Sequence, residues 1–272
     1  MGLRLLGEMD LTIFQIDAFA DRVFAGNPAA VCPLSAWLPH ETMQAIAMEN
    51  NLSETAFFVP ERGGYRLRWF TPRVEVDLCG HATLASAWLL FHELGVKESA
   101  VRFQTKSGEL IVERDGDLLA MNFPARPPGP CEVHEDLAAA LGGTSLGGKP
   151  KEILGARDYL VVYESEREVR AIAPDMQRLA GVDRFAVIVT APGDDCDFVS
   201  RFFAPSKGVP EDPVTGSAHC TLIPYWSKRL GKTKLRARQV SARGGELWCE
   251  DLGERVRMAG RAVLYLRGTI SV

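Results

Sequence analysis

The sequence predicts an α+β fold built from two similar halves, each a sheet rolled around one central helix. Three observations predict it. Short runs rich in Phe, Ile, Val and Tyr recur along the whole chain and read as strands. One helical stretch, 81–94, is apolar around its whole circumference through Leu84, Ala85, Ala87, Trp88, Leu89, Leu90 and Phe91. A helix with no polar face has to be enclosed, and strands on either side in sequence supply the enclosure. Finally, FPARPPGPC at 123–131 packs four prolines and a glycine into nine residues, which no helix or central strand tolerates. After that break the same plan starts again.

The elements follow in order. Strands are expected at 12–18, 29–32, 55–59 and 65–70. The helix at 41–49 buries one face through Met43, Ile46 and Ala47 at helical spacing. The enclosed helix at 81–94 precedes strands at 101–105, 110–113 and 118–123. In the second half a helix is expected at 134–141, and GGTSLGGKP at 142–150 reads as a flexible loop. Strands at 159–163, 186–190 and 198–203 lead to a second enclosed helix, 217–230. Strands at 234–241, 246–249, 255–258 and 262–266 close the chain. This places two domains at 10–126 and 127–272, with the final strand free to cross to the first. Pro224 is out of place inside the second helix, where it removes a backbone bond at a cost of about 3 kcal/mol unless the surroundings compensate.

Composition narrows the function. The chain has 272 residues, 46% apolar and 24% charged, with a net charge of −4. These are ordinary globular values, and the length suits two medium domains. No basic stripe marks a nucleic-acid partner, and 228–238 reads as a solvated helix end and strand face. Six cysteines show no CxxC spacing and no His pair has ligand spacing, so no metal site is expected. The N-terminal segment lacks the apolar core of a signal peptide, and the longest apolar stretch, 82–91, is too short to span a bilayer. A cytoplasmic protein with reduced thiols is expected.

Chemistry concentrates where the two enclosed helices begin, at VDLCGHATLASAW from 76 and EDPVTGSAHCTLIPYW from 211. Each stretch runs from an Asp through a short turn and a Gly into a buried helix. Helix N-termini present free N–H groups and partial positive charge, and so bind anions. Gly80 and Gly216 let the backbone approach a ligand closely. Two such starts facing one cleft would hold a carboxylate. Against this stands the plain alternative of two ordinary capped helices ending at solvent.

A third stretch, NNLSETAFF at 50–58, sets the carboxylate of Glu54 at the mouth of an apolar strand, costly unless the group is paired or used. Pairing with an arginine at a strand edge is the plain alternative.

Four motifs in order, GNPAAV at 26–31, NLSETAF at 51–57, DLCGHATLA at 77–85 and EDPVTGSAH at 211–219, together resemble the phenazine-biosynthesis PhzF-like family. The likeness covers nearly the whole chain. It implies the diaminopimelate-epimerase-like fold: two domains related by pseudo-two-fold symmetry, each a mostly antiparallel sheet around a central helix, with the site in the cleft. It also implies an isomerase without a cofactor that moves a proton on a small anionic, carboxylate-bearing substrate, commonly as a homodimer. By the resemblance Glu54 is the acid/base, His81 and Asp212 complete the catalytic set, and Asn27, Ser53, Gly80, Ala82, Gly216, Ser217 and Ala218 are substrate-binding positions. Burial and the neighbouring Asp212 would raise the pKa of such a base toward working pH.

Cys79 opens a second reading. Epimerases and racemases of the wider fold carry a cysteine before each glycine, whereas here Thr215 precedes Gly216. A threonine hydroxyl is too weak an acid to share two-base racemisation. A Cys79-dependent epimerase or dehydratase, or a binding protein without turnover, remain the alternatives.

Overall fold

The computed structural model describes residues 9–142 and 148–272. In the first half β1 (Asp10–Ala18) runs antiparallel to β2 (Asn27–Pro33). Helix α1 (His40–Asn50) leads to β3 (Glu54–Glu61), parallel to β2, and β4 (Gly64–Phe70) returns antiparallel. The two-residue β5 (Glu75–Val76) rests on β4 and delivers the chain to α2 (Gly80–His92). Then come β6 (Ala100–Thr105), parallel to β4, and the antiparallel β7 (Gly108–Asp115) and β8 (Leu118–Pro124).

The second half repeats the plan. After the short α3 (Leu137–Ala140), β9 (Glu152–Gly155) lies antiparallel to β10 (Tyr159–Val162). Two short helices, α4 (Glu166–Ala171) and α5 (Met176–Leu179), lead to β11 (Val187–Pro192), parallel to β10. Antiparallel β12 (Phe198–Ala204) carries β13 (Val209–Asp212), and α6 (Gly216–Leu230) follows. Parallel to β12 is β14 (Lys234–Gln239), followed by antiparallel β15 (Gly245–Asp251) and β16 (Arg255–Gly260). The order and sense of pairing in β9–β16 thus match those in β1–β8.

Two features tie the halves together. Strands β8 and β16 pair antiparallel, with Met121 opposite Met258. Each half also lends its trailing segment to the other. Strand β17 (Ala262–Ser271) pairs along its length with β1, and Gly129, just after β8, bridges to Gly155 of β9.

Helix α2 is enclosed because almost every side chain it carries is apolar or small. Leu84, Ala85, Ala87 and Leu89 are fully shielded from solvent. Each buried Leu contributes about 1.5–3 kcal/mol, so the sheet gains from wrapping the helix on all sides. In α6, Leu222, Ile223 and Trp226 do the same, and the Trp226 indole N–H finds the Thr190 hydroxyl at 2.9 Å. Pro224 leaves the Cys220 carbonyl without its helical donor, and the Arg126 N–H fills that place at 2.8 Å. The donor comes from the proline-rich segment between the halves, so the helix defect is one of the points where the halves meet.

Some expectations need correction. Helix 134–141 shrinks to Leu137–Ala140. The His134 N–H is taken by the Tyr159 hydroxyl and the Asp136 N–H by His134 Nδ1, which holds 134–136 in a turn. Helices α2 and α6 each begin one residue earlier than expected, at their glycines, and α2 ends two residues sooner. Of the loop expected at 142–150, residues 143–147 lie outside the described residues. Among the described residues, no helix is long and apolar enough to cross a membrane.

Candidate active site

Asn51 caps α1 in the left-handed conformation, with φ of 48°, and its N–H bonds the Ala47 carbonyl. The chain therefore turns sharply and enters β3 with Glu54 as its first residue, opposite Ala29 of β2. The Glu54 side chain is 17% exposed, and its Oε2 lies 3.1 Å from His81 Nε2. That is an ion-pair distance, but the two atoms are poorly aligned and neither has a directed hydrogen bond. Two buried polar atoms facing each other without one are costly in a finished protein interior and useful in a site that receives a ligand.

The other ring nitrogen, His81 Nδ1, lies 3.5 Å from the Cys79 sulfur. Burial works to depress the imidazole's pKa. The adjoining Cys79 and Glu54 outweigh it and hold His81 well above its ordinary value. Burial pushes the Cys79 thiol up to about 11. Donor atoms of Glu54, Cys79 and His81 fall within 4.8 Å of one another, close enough to share a metal ion.

Asp212 ends β13 at the second turn. Its Oδ1 accepts from Asn27 Nδ2 at 2.9 Å, and its Oδ2 accepts a short bond from the Thr215 hydroxyl. Burial pushes its carboxyl up to about 6, against the pull of His81. Asn27 Nδ2 also reaches the Val214 carbonyl, so one amide from β2 spans the halves. Gln239 of β14 accepts from the Thr215 N–H at 2.8 Å and donates to the Asp212 carbonyl at 2.7 Å.

The two helix starts meet. A methyl group added at Gly80 would find nothing nearer than the Gly216 Cα, 3.9 Å away. One added at Gly216 would find the Met258 sulfur at 3.5 Å. Neither glycine has a positive φ. Backbone conformation and packing therefore both permit a methyl, which at either position would lie in contact distance of the other helix start.

The structure thus gathers Glu54, His81, Gly80, Gly216, Asp212 and Asn27. Ser53 precedes Glu54 and is half-buried; Ala82 and Ala218 are buried in the first turns of their helices. The Ser217 hydroxyl accepts from Arg157 Nη2 at 3.1 Å. Sequence reasoning missed Gln239 and Arg157. A glutamine ending a strand carries no local signal, whereas the ionic pair Arg157-Asp158 before the apolar run at 159–163 was a usable one. A cavity of about 450 Å³ lined by Phe19, Arg22, Arg238, Gln239, Arg243 and Trp248 lies behind the second turn. It touches the site only through Gln239, and its arginines are already paired, Arg243 with Asp17 and Arg238 with Asp195.

The family model described as phenazine biosynthesis-like protein matches residues 16–268. An uncharacterized isomerase of Pseudomonas aeruginosa is 58% identical over 262 residues, covering 96% of this chain and 99% of that one. A crystal structure of a PhzF-family phenazine biosynthesis protein from Enterococcus faecalis superposes with a TM-score of 0.93 at 48% identity, covering 97% of this chain and all of that one. A predicted epimerase of Pseudomonas aeruginosa, 21% identical with a TM-score of 0.72 over 96% of this chain and 99% of its own, shares the fold. Motifs, topology and overall likeness agree: the chain belongs to the phenazine biosynthesis-like, or PhzF, family.

Proposed function

We propose that the protein is an isomerase that moves a proton between two carbons of a small carboxylate, with Glu54 as the carrier. The observation that supports this most is the Glu54–His81 pair, 3.1 Å apart, shielded and without directed hydrogen bonds, beside two converging glycine turns. The substrate carboxylate sits over the amide groups of Gly80 and Gly216, where both helix ends favour negative charge. Glu54 removes a proton from one carbon. Charge then delocalises toward the carboxylate, and the same amides stabilise it. Protonated Glu54 returns the proton to the second carbon, so one C–H bond breaks, another forms, and nothing is gained or lost. His81, as imidazolium, steadies the carboxylate form of Glu54 between turnovers. Asp212, held by Asn27 and Thr215, supplies a carboxyl able to share a proton near neutral pH.

The thiol-dependent reading is less well supported. Thr215 stands where a second thiol is needed, its hydroxyl is bonded to Asp212, and burial raises the Cys79 thiol to about 11, away from ready ionisation. The proposal includes a homodimer, for which the exposed rings of Phe24 and Tyr265, 5.5 Å apart, offer an apolar contact; light scattering on the purified protein checks it.

The deciding experiment is deuterium uptake from heavy water into unsaturated cyclic acids and amino-acid derivatives. Exchange with the wild-type protein and none with a folded Glu54→Gln variant is the expected outcome. Exchange that survives in that variant rejects the role of Glu54.

A further inference from the structure

Around the start of α6, cations gather that the proton transfer does not use. Arg157 donates to Asp158 through Nε at 3.1 Å and Nη2 at 3.2 Å, and through Nη2 to the Ser217 hydroxyl. Asp158 is 1% exposed, so a buried carboxylate holds the guanidinium from behind. Phe185 supports it from the side, 4.4 Å from ring centroid to guanidinium, and the Lys207 ammonium lies 5.3 Å from the same ring. Arg73, from the corresponding loop of the first half, reaches to 3.7 Å of the point where Gly208 would carry a Cβ. Among the described residues, no carboxylate lies within ion-pair distance of Lys207 or Arg73. Lys207 and Arg73 thus add unpaired positive charge beside Arg157 and the start of α6.

A lysine at a surface is unremarkable by itself. An arginine is different when a buried carboxylate, an aromatic ring and a serine fix it, and that serine adjoins Gly216. Its fork is pre-set, and the N–H groups not spent on Asp158 and Ser217 remain free to donate. Resting on the reading that one carboxylate sits over the two glycine turns, we propose that the substrate is a dicarboxylate and that Arg157, aided by Lys207, binds its second carboxylate. Arg157 is then a specificity-determining residue, and the isomerase selects diacids over acids of the same skeleton with a neutral end.

Calorimetric titration of the full chain with succinate, glutarate and adipate, each beside its monoamide, tests this. At one chain length or more the diacid binds about tenfold tighter than its monoamide. Arg157→Gln removes that gap and leaves the monoamide affinity in place, while Lys207→Gln, at an exposed position, narrows it a few-fold. Equal binding of diacid and monoamide at all three lengths overturns the inference, as does a gap that persists in both variants. The underlying reading fails separately: it predicts that Gly216→Val weakens monoamides and diacids alike, and a monoamide that binds this variant undiminished rejects it. Should no probe bind the wild-type chain, both are rejected.

Discussion

Each of the two central helices opens with a histidine in its first four residues, and the two histidines are held in opposite states. His81 faces Glu54 and Cys79, and these hold it well above its usual pKa despite burial. His219 is equally shielded but faces the Phe198 ring, and its Nδ1 bonds the Thr215 carbonyl at 2.8 Å. Burial there is unopposed by any carboxylate and depresses the pKa to about 4, so His219 is neutral. The two turns share a backbone plan and even a capping device. Thr83 Oγ1 bonds the Cys79 carbonyl just as His219 bonds that of Thr215, each from four residues on. Their chemistry has nevertheless separated. On the proposed mechanism the first turn holds the charge that moves, while the second holds the hydrogen-bonded set of Asn27, Asp212, Thr215 and Gln239. A repeated fold supplies two equivalent helix starts, and the residues around each set the protonation of its histidine differently.

Mutations can break this division of labour. The largest contrast is expected between the histidines: His81→Gln should lower the rate of proton exchange by about 10²–10⁴-fold. His219→Gln should change it by only a few-fold, and comparable losses in both would erase the distinction. Next come the glycines. Gly80→Ala and Gly216→Ala should leave the thermal midpoint unchanged or slightly raised, because an added methyl has room and the unfolded chain loses freedom. Exchange and carboxylate binding should nonetheless fall by about tenfold or more, as the methyl stands between the two helix starts over which the carboxylate is proposed to sit. A large loss of stability would show that packing, not ligand access, requires glycine.

Acid titration sharpens the comparison further. Asp212, raised from 3.8 to about 6, holds its proton better folded than unfolded, so its contribution to stability falls as pH rises through that window. His219, lowered from 6.5 to about 4, resists protonation when folded, so its contribution grows as pH rises from 4 to 6.5. Each is worth on the order of 3 kcal/mol, and in the wild-type protein the slopes oppose. Urea unfolding between pH 4 and 6.5 should show a steeper rise in Asp212→Asn and a net fall in His219→Gln. Parallel profiles for both variants would contradict the assignment. The smallest effect is expected for Pro224→Ala, within about 1 kcal/mol, because the regained helical N–H competes with Arg126 for one carbonyl. Thermal unfolding measures it.

Much of the fold was legible because periodicity is local. The enclosed helices, most strands and the repeat of the plan are written in runs of a few residues. Where prediction stopped short, pairing rather than pattern makes the element. Strands β5, β9 and β13 have two to four residues and exist because a neighbour offers an edge. Helix α4 was legible but overlooked: Ser165 and Glu168 form a capping box, a signal present in the sequence.

By itself the sequence determined which chemical groups exist and which motif each belongs to: a carboxylate at a strand mouth, a histidine after one glycine, an aspartate before the other, and a glycine at the start of each enclosed helix. Only the tertiary structure decided that these groups meet. Gly80 and Gly216 are far apart in the chain, and what brings their helix starts together is the pairing of β8 with β16 and the exchange of trailing segments between halves. Protonation follows the same rule. A histidine's sequence neighbours do not fix its charge, because burial and the nearest carboxylate act through space and become known only when the chain has closed around it.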